Sequence, residues 1–129
     1  GLGCVRKGKR KGKGKRKGKG KRMPDWYCKL FICSEMSEKE LLDLINLHLH
    51  GIKQGIRTIR TGLLELDLIR NDEYMPGSQD FLFWRYCADL EAVTEERAAY
   101  VCCIRKLMAF LQERQIETVA ACDFEQELV

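Results

Sequence analysis

The side chains with most scope for chemistry are seven cysteines and two histidines, and their spacing gives them little. No Cys-x-x-Cys pair occurs. Cys28 and Cys33 are five apart in an apolar run that reads as a strand. They therefore point to opposite faces and share neither a metal nor a disulfide. Cys102 and Cys103 adjoin on a helix, where one of them should pack inward. Cys87 falls on a strand face that is open to solvent in this reading. An odd number of thiols with no secretory signal points to reduced, structural cysteines in a cytoplasmic chain. His48 and His50 stand two apart near a helix end, whereas helical ligand pairs stand three or four apart. A cation there suits the helix dipole, so capping is the expected role. No nucleophile elbow, phosphate-cradling glycine loop or zinc-deaminase signature is present. The expectation is no catalytic residue, no metal and no cofactor.

Carboxylates are more telling. Asp72, Glu73 and Asp80 flank a central loop, and Asp123, Glu125 and Glu127 lie near the end of the sequence. A metal site needs about three of them to converge on one point. The central loop and the last strand need not meet, so a solvated acidic surface is expected. Such a surface also suits an electrostatic decoy, occupying the cationic groove in which a nuclease holds phosphate.

Charge divides the chain sharply at Met23. Residues 1–22 carry 12 of the 23 Lys and Arg and no acid; residues 23–129 carry the other 11 and all 19 Asp and Glu. The first segment holds Lys7, Lys9, Arg10, Lys11, Lys13, Lys15, Arg16, Lys17, Lys19, Lys21 and Arg22, spaced mostly by glycine. It cannot bury enough apolar surface to offset the entropy of ordering, so it should be a disordered tail. These residues can follow a phosphate backbone. No aromatic side chain stacks bases between Val5 and Met23, so single-strand sequence reading is not expected. The abruptness of the change leaves open that Met23 is a natural start. Gly1 and Cys4 ahead of a polybasic run have the layout of a doubly acylated terminus, but Val5 stands where that motif takes Ser or Thr.

Residues 23–129 are enough for one domain with its own core. No apolar run approaches the length of a membrane span. The stretch from Trp26 to Cys33 reads as a buried strand. Ser37 and Glu40 form a capping box for a helix to about His50, with Gly51 as its stop. Within 56–70, Leu64, Leu66 and Leu68 alternate with charged residues as a half-buried strand, and Gly62 marks a bulge or the strand start. Residues 71–79 are a loop. Residues 81–92 read as one long strand, with Leu82, Trp84, Tyr86, Ala88 and Leu90 on one face. Phe81, Phe83, Arg85, Cys87, Asp89 and Glu91 take the other. Thr94 is placed to cap a helix to about Gln115, and 116–122 is a last strand.

The order β-α-β-β-α-β is that of a ferredoxin-like α+β fold, an antiparallel four-stranded sheet with two helices on one face. The other face is open, and Phe81 and Phe83 are either exposed there for another chain or covered by a loop or the N-terminal segment. Residues 25–127 resemble the small acidic bacterial immunity proteins that neutralise polymorphic toxins. The residues that prompt this are Asn71-Asp72-Glu73-Tyr74, Asp80-Phe81-Leu82-Phe83-Trp84-Arg85-Tyr86 and Ala120-Ala121-Cys122-Asp123-Phe124-Glu125. The resemblance is one of size, charge and layout, and the basic tail departs from it. It implies a non-enzymatic inhibitor that holds a basic protein, such as a nuclease toxin, but carries no residue over position by position; the acidic loop and aromatic strand themselves make Asp72, Glu73, Tyr74, Asp80, Phe81, Phe83 and Arg85 the expected partner-binding residues. The alternative is a nucleic-acid-associated protein that grips phosphate through its tail.

Overall fold

Strand β1 (Cys28–Cys33) takes the apolar run and buries five of its six residues. Burial on both faces follows from its place in the sheet, where β5 (Tyr86–Ala92) pairs with one edge and β6 (Glu117–Ala121) with the other. The computed structural model describes residues 26–128. The basic tail and its proposed phosphate contacts lie outside them.

Helix α1 (Glu38–Leu49) starts with the expected capping box. The Glu40 amide donates to Ser37 Oγ at 3.2 Å, and the Ser37 amide donates to Glu40 Oε1 at 3.2 Å. Leu41, Leu42 and Ile45 form its buried stripe. The helix ends as His50 turns left-handed, with φ 55°, and its amide donates to the Asn46 carbonyl. The Asn46 side chain then holds Gly51 twice, accepting from its amide at 2.8 Å and donating to its carbonyl at 3.2 Å. Gly51 is needed there: a Cβ would lie 2.7 Å from both the Arg60 carbonyl oxygen and Ile59 Cγ2.

That sharp exit starts a hairpin the sequence did not announce. β2 (Ile52–Gln54) and β3 (Thr58–Arg60) pair antiparallel around a turn that contains Gly55, whose φ is 73°. A second turn leads into β4 (Leu64–Arg70), and Thr61 shapes it by accepting from the Leu63 and Leu64 amides at 3.0 and 3.1 Å. Gly62 therefore sits in a turn and marks neither a bulge nor the start of β4.

The expected long strand over 81–92 is divided. Phe81–Phe83 form a 3-10 turn, capped by Asp80 Oδ1, which accepts from the Leu82 amide at 3.0 Å. β5 begins only at Tyr86. The break shifts the alternation, so Trp84 does not share a face with Tyr86, Ala88 and Leu90 as expected. Helix α2 (Arg97–Glu113) also starts later than predicted. Thr94 Oγ1 accepts from the Glu96 amide at 3.1 Å in a turn before the helix, instead of capping it.

The sheet has six antiparallel strands in the order β2-β3-β4-β5-β1-β6, not four. Setting the β2–β3 hairpin aside leaves β-α-β-β-α-β. Both helices pack on one face, where Leu30, Ile32, Leu66, Leu68, Tyr86 and Leu90 meet Leu41, Ile45, Ile104, Leu107 and Leu111. A smaller apolar cluster of Phe31, Trp84, Cys87 and Ala121 lies on the opposite face. His48 stacks on Phe110 at 4.7 Å. Partial burial, then the neighbouring His50, Arg114 and Lys106, hold its pKa below the ordinary imidazole value. No helix among the described residues is long and apolar enough to cross a membrane.

Gly51→Ala should cost about 1–3 kcal/mol, because the added methyl meets backbone and a packed side chain. The check is a lower urea midpoint with an unchanged m-value. A midpoint equal to that of the parent would contradict the close approach.

Candidate functional site

Residues 71–84 are not a free loop. They fold across the sheet face that the helices leave uncovered, and Asn71 organises them. Its amide nitrogen Nδ2 donates to the Leu82 and Trp84 carbonyls at 2.9 and 2.7 Å. Its Oδ1 accepts from the Glu73 amide at 3.0 Å, and its backbone amide donates to the Arg85 carbonyl at 2.8 Å. The Met75 amide donates to the Phe83 carbonyl at 2.9 Å, closing the loop on itself. Asn suits this position because one short side chain supplies both a donor and an acceptor to nearby backbone.

Aromatic packing fixes the loop to the sheet. Phe81 meets Phe31 edge-on at 5.1 Å and Trp84 at 6.4 Å. Leu82, Ile69 and Val119 pack against the same cluster. Arg85 ties the loop to the turn before α1. Its Nη1 donates to the Glu35 carbonyl at 3.2 Å, and its guanidinium lies 5.8 Å from the Tyr74 ring and 5.4 Å from the Tyr86 ring.

The residues expected to bind a partner thus separate into two groups. Asp72, Glu73 and Asp80 are exposed on the loop. Tyr74, Phe81, Phe83 and Arg85 are half-buried, and the contacts of Phe81 and Arg85 hold the loop in place. Phe81 and Phe83 are therefore neither exposed strand anchors nor strand residues covered by another segment, the two arrangements expected: both are half-buried in the 3-10 turn of the cover itself, and Phe81 packs on Phe31. Met75, which the sequence did not single out, is the large apolar side chain that stands out beside the loop acids, 54% exposed. Cys87, expected as an open thiol, is buried beneath this cover at 4% exposure.

Beside the cover, the same sheet face carries carboxylates. Glu65 stands directly opposite Glu91, and Asp67 directly opposite Asp89. Like charges opposite one another on a ladder are unfavourable unless something offsets them. Arg60 Nη1 donates to Glu65 Oε1 at 2.9 Å, Thr58 Oγ1 donates to Asp67 Oδ1 at 2.6 Å, and Tyr27 Oη donates to Asp89 Oδ1 at 2.6 Å. Lys29, also buried, is the partner of Asp89 across the β1–β5 ladder. Burial, and then the bond to Asp89, pushes the Tyr27 phenol pKa well up, so Tyr27 remains a hydrogen-bond donor at neutral pH. A signal for this block exists in the sequence: acids alternate with apolar residues in both 64–68 and 88–91. Which of these acids oppose one another depends on a register the sequence does not state.

The C-terminal acids serve their own surroundings. Glu127 makes a two-point ion pair with Arg97 at 2.9 and 2.7 Å, and that bond holds its carboxyl pKa low. Glu125 Oε1 accepts from the Cys122 amide at 3.3 Å. Among the described residues no group of three His, Cys, Asp or Glu side chains could hold a metal ion. Comparison with protein-family models, curated proteins and solved structures finds no match to this chain.

Asn71→Ala should cost about 1–3 kcal/mol, since two carbonyls lose their shared donor. It should also open 71–84 to a protease under conditions where the parent resists. Unchanged resistance would show that the aromatic contacts alone secure the loop.

Proposed function

We propose that the folded domain is a non-enzymatic binding module, an immunity-type inhibitor that holds a basic protein partner. The observation that carries this is the arrangement of one sheet face. A loop braced by Asn71 and Arg85 leaves Asp72, Glu73, Met75 and Asp80 exposed, and the half-buried carboxylates of Glu65, Asp67 and Glu91 continue on the same sheet face, with Asp89 buried among them. Acids held on a fixed scaffold lose little side-chain and loop freedom when a partner docks, which favours affinity. Their common sign would speed encounter with a cationic surface and discriminate against acidic ones. A nuclease groove that normally holds phosphate is the partner chemistry this suits best. Met75 and Tyr74 would supply apolar contact within the charged surround.

A second reading rests on composition alone. Twelve Lys and Arg with no acid among residues 1–22 suit non-specific attachment to nucleic acid. With about half of them on phosphates, log K would fall against log salt with a slope of about −4 to −6.

The test uses the full chain and a form lacking residues 1–22 as baits, with any basic protein retained by both then purified and titrated. Reversal of Asp72, Glu73 and Asp80 to Lys should weaken binding at least about tenfold, mainly through a slower, salt-sensitive association rate. Unchanged affinity would remove this surface from the account. Binding of nucleic acid that disappears with residues 1–22, without a protein partner, would favour the second reading.

A further inference from the structure

We propose that Cys28 and Cys122 are a redox-active pair that closes a reversible cross-strand disulfide between β1 and the chain just beyond β6. The ladder register places them together. Lys29 and Ala121 are the last pair of the β1–β6 ladder, and Cys28 and Cys122 are the next residues outward on the two chains. One further step of an antiparallel ladder would set their Cα atoms about 4.5–5.5 Å apart, inside the range of about 4.4–6.8 Å that a disulfide spans. Both side chains point to the helix-covered face and belong to the same apolar cluster, which also contains Phe124. Both are free thiols in the structure.

The two sulfurs are not equivalent. Cys28 is fully buried, and the neighbouring Cys122 thiol and burial push its pKa well up. Cys122 borders a surface cleft of about 560 Å³ lined by residues 121–127. The neighbouring Cys28 thiol, and less so the Phe124 backbone, hold the Cys122 pKa down against burial and the nearby charges of Glu125 and Asp123. Because Cys122 borders the cleft and Cys28 is fully buried, Cys122 is the attacking sulfur and Cys28 the resolving one.

The oxidant class is a small-molecule disulfide. The Cys122 thiolate attacks one of its sulfurs, the small-molecule S–S bond breaks, and one thiolate leaves and takes a proton from water. The Cys28 thiol then gives up its proton and its sulfur attacks Cys122 Sγ, expelling the second small thiol. Two protein thiols are oxidised and one small disulfide is reduced to two thiols.

Oxidised glutathione is the probe, applied to the natively folded full chain. After free thiols are blocked, trypsin digestion gives peptides that each contain one of these cysteines and no other: residues 23–29 and residues 115–129. The expected product is these two peptides linked, in protein lighter by two hydrogens, and separated again by reductant. Cys28→Ser should instead trap glutathione on Cys122. If that variant fails to fold, the unmutated protein still decides, because native Cys122 should be alkylated faster than Cys28. Glutathione on exposed Cys33 alone, no modification, or the linked peptide only after denaturation would overturn the proposal.

Discussion

Phe31 lies in an interior strand of a sheet that has helices on only one face, and it points to the other face. Pairing of β1 with β5 and β6 does not shield that face, so this apolar ring is bare unless another segment covers it. Residues 71–84 do so, and Phe81 and Trp84 are their contact points. This requirement explains why the chain does not run straight into β5. A continuous strand from Phe81 would carry Phe81 and Trp84 to opposite faces and leave Phe31 bare. The 3-10 turn at Phe81–Phe83 brings both onto one face, and Asp80 and Asn71 satisfy the backbone groups that the turn takes out of the ladder.

The rest of that face is electrostatic. Carboxylates stand in opposed pairs on β4 and β5, where apolar or oppositely charged residues would stabilise the sheet more. Local donors on Tyr27, Thr58 and Arg60 offset the repulsion. The cover and the carboxylates share a face, so bracing the loop also sets where its acids stand relative to those on the strands. Stability and the proposed recognition surface are joined through the same few residues. That is why Arg85 serves as an internal brace: its charge is already engaged with Glu35 and two tyrosine rings.

Local chemistry made much of the fold legible. The capping box of α1 and the alternation in β4 depend on neighbours within a few residues, and both are seen in the structure. The β2–β3 hairpin was not legible, because its three-residue strands are too short for a period to register, and because Gly51 reads equally as a helix stop or a close approach. The long strand over 81–92 failed for a different reason. Its aromatic alternation is genuine at the level of composition, but the demand of Phe31 for a cover comes from a residue fifty positions away. Among the site residues, exposed acids could be named from charge alone. The division between acids that face solvent and aromatic side chains that hold the loop follows from tertiary packing, as does the opposition of Glu65 to Glu91 and Asp67 to Asp89.

Backbone hydrogen exchange in the intact protein, followed residue by residue, reads whether the segment from Asn71 to Trp84 is a fixed cover over Phe31. The amides of Asn71, Met75, Phe83 and Trp84 all donate within this segment or to Arg85. They are expected to exchange orders of magnitude more slowly than unstructured peptide, close to the rates within β5. Exchange of these amides at unstructured-peptide rates while β5 remains protected would contradict it, and would leave the acidic loop without the scaffold on which the proposed recognition depends.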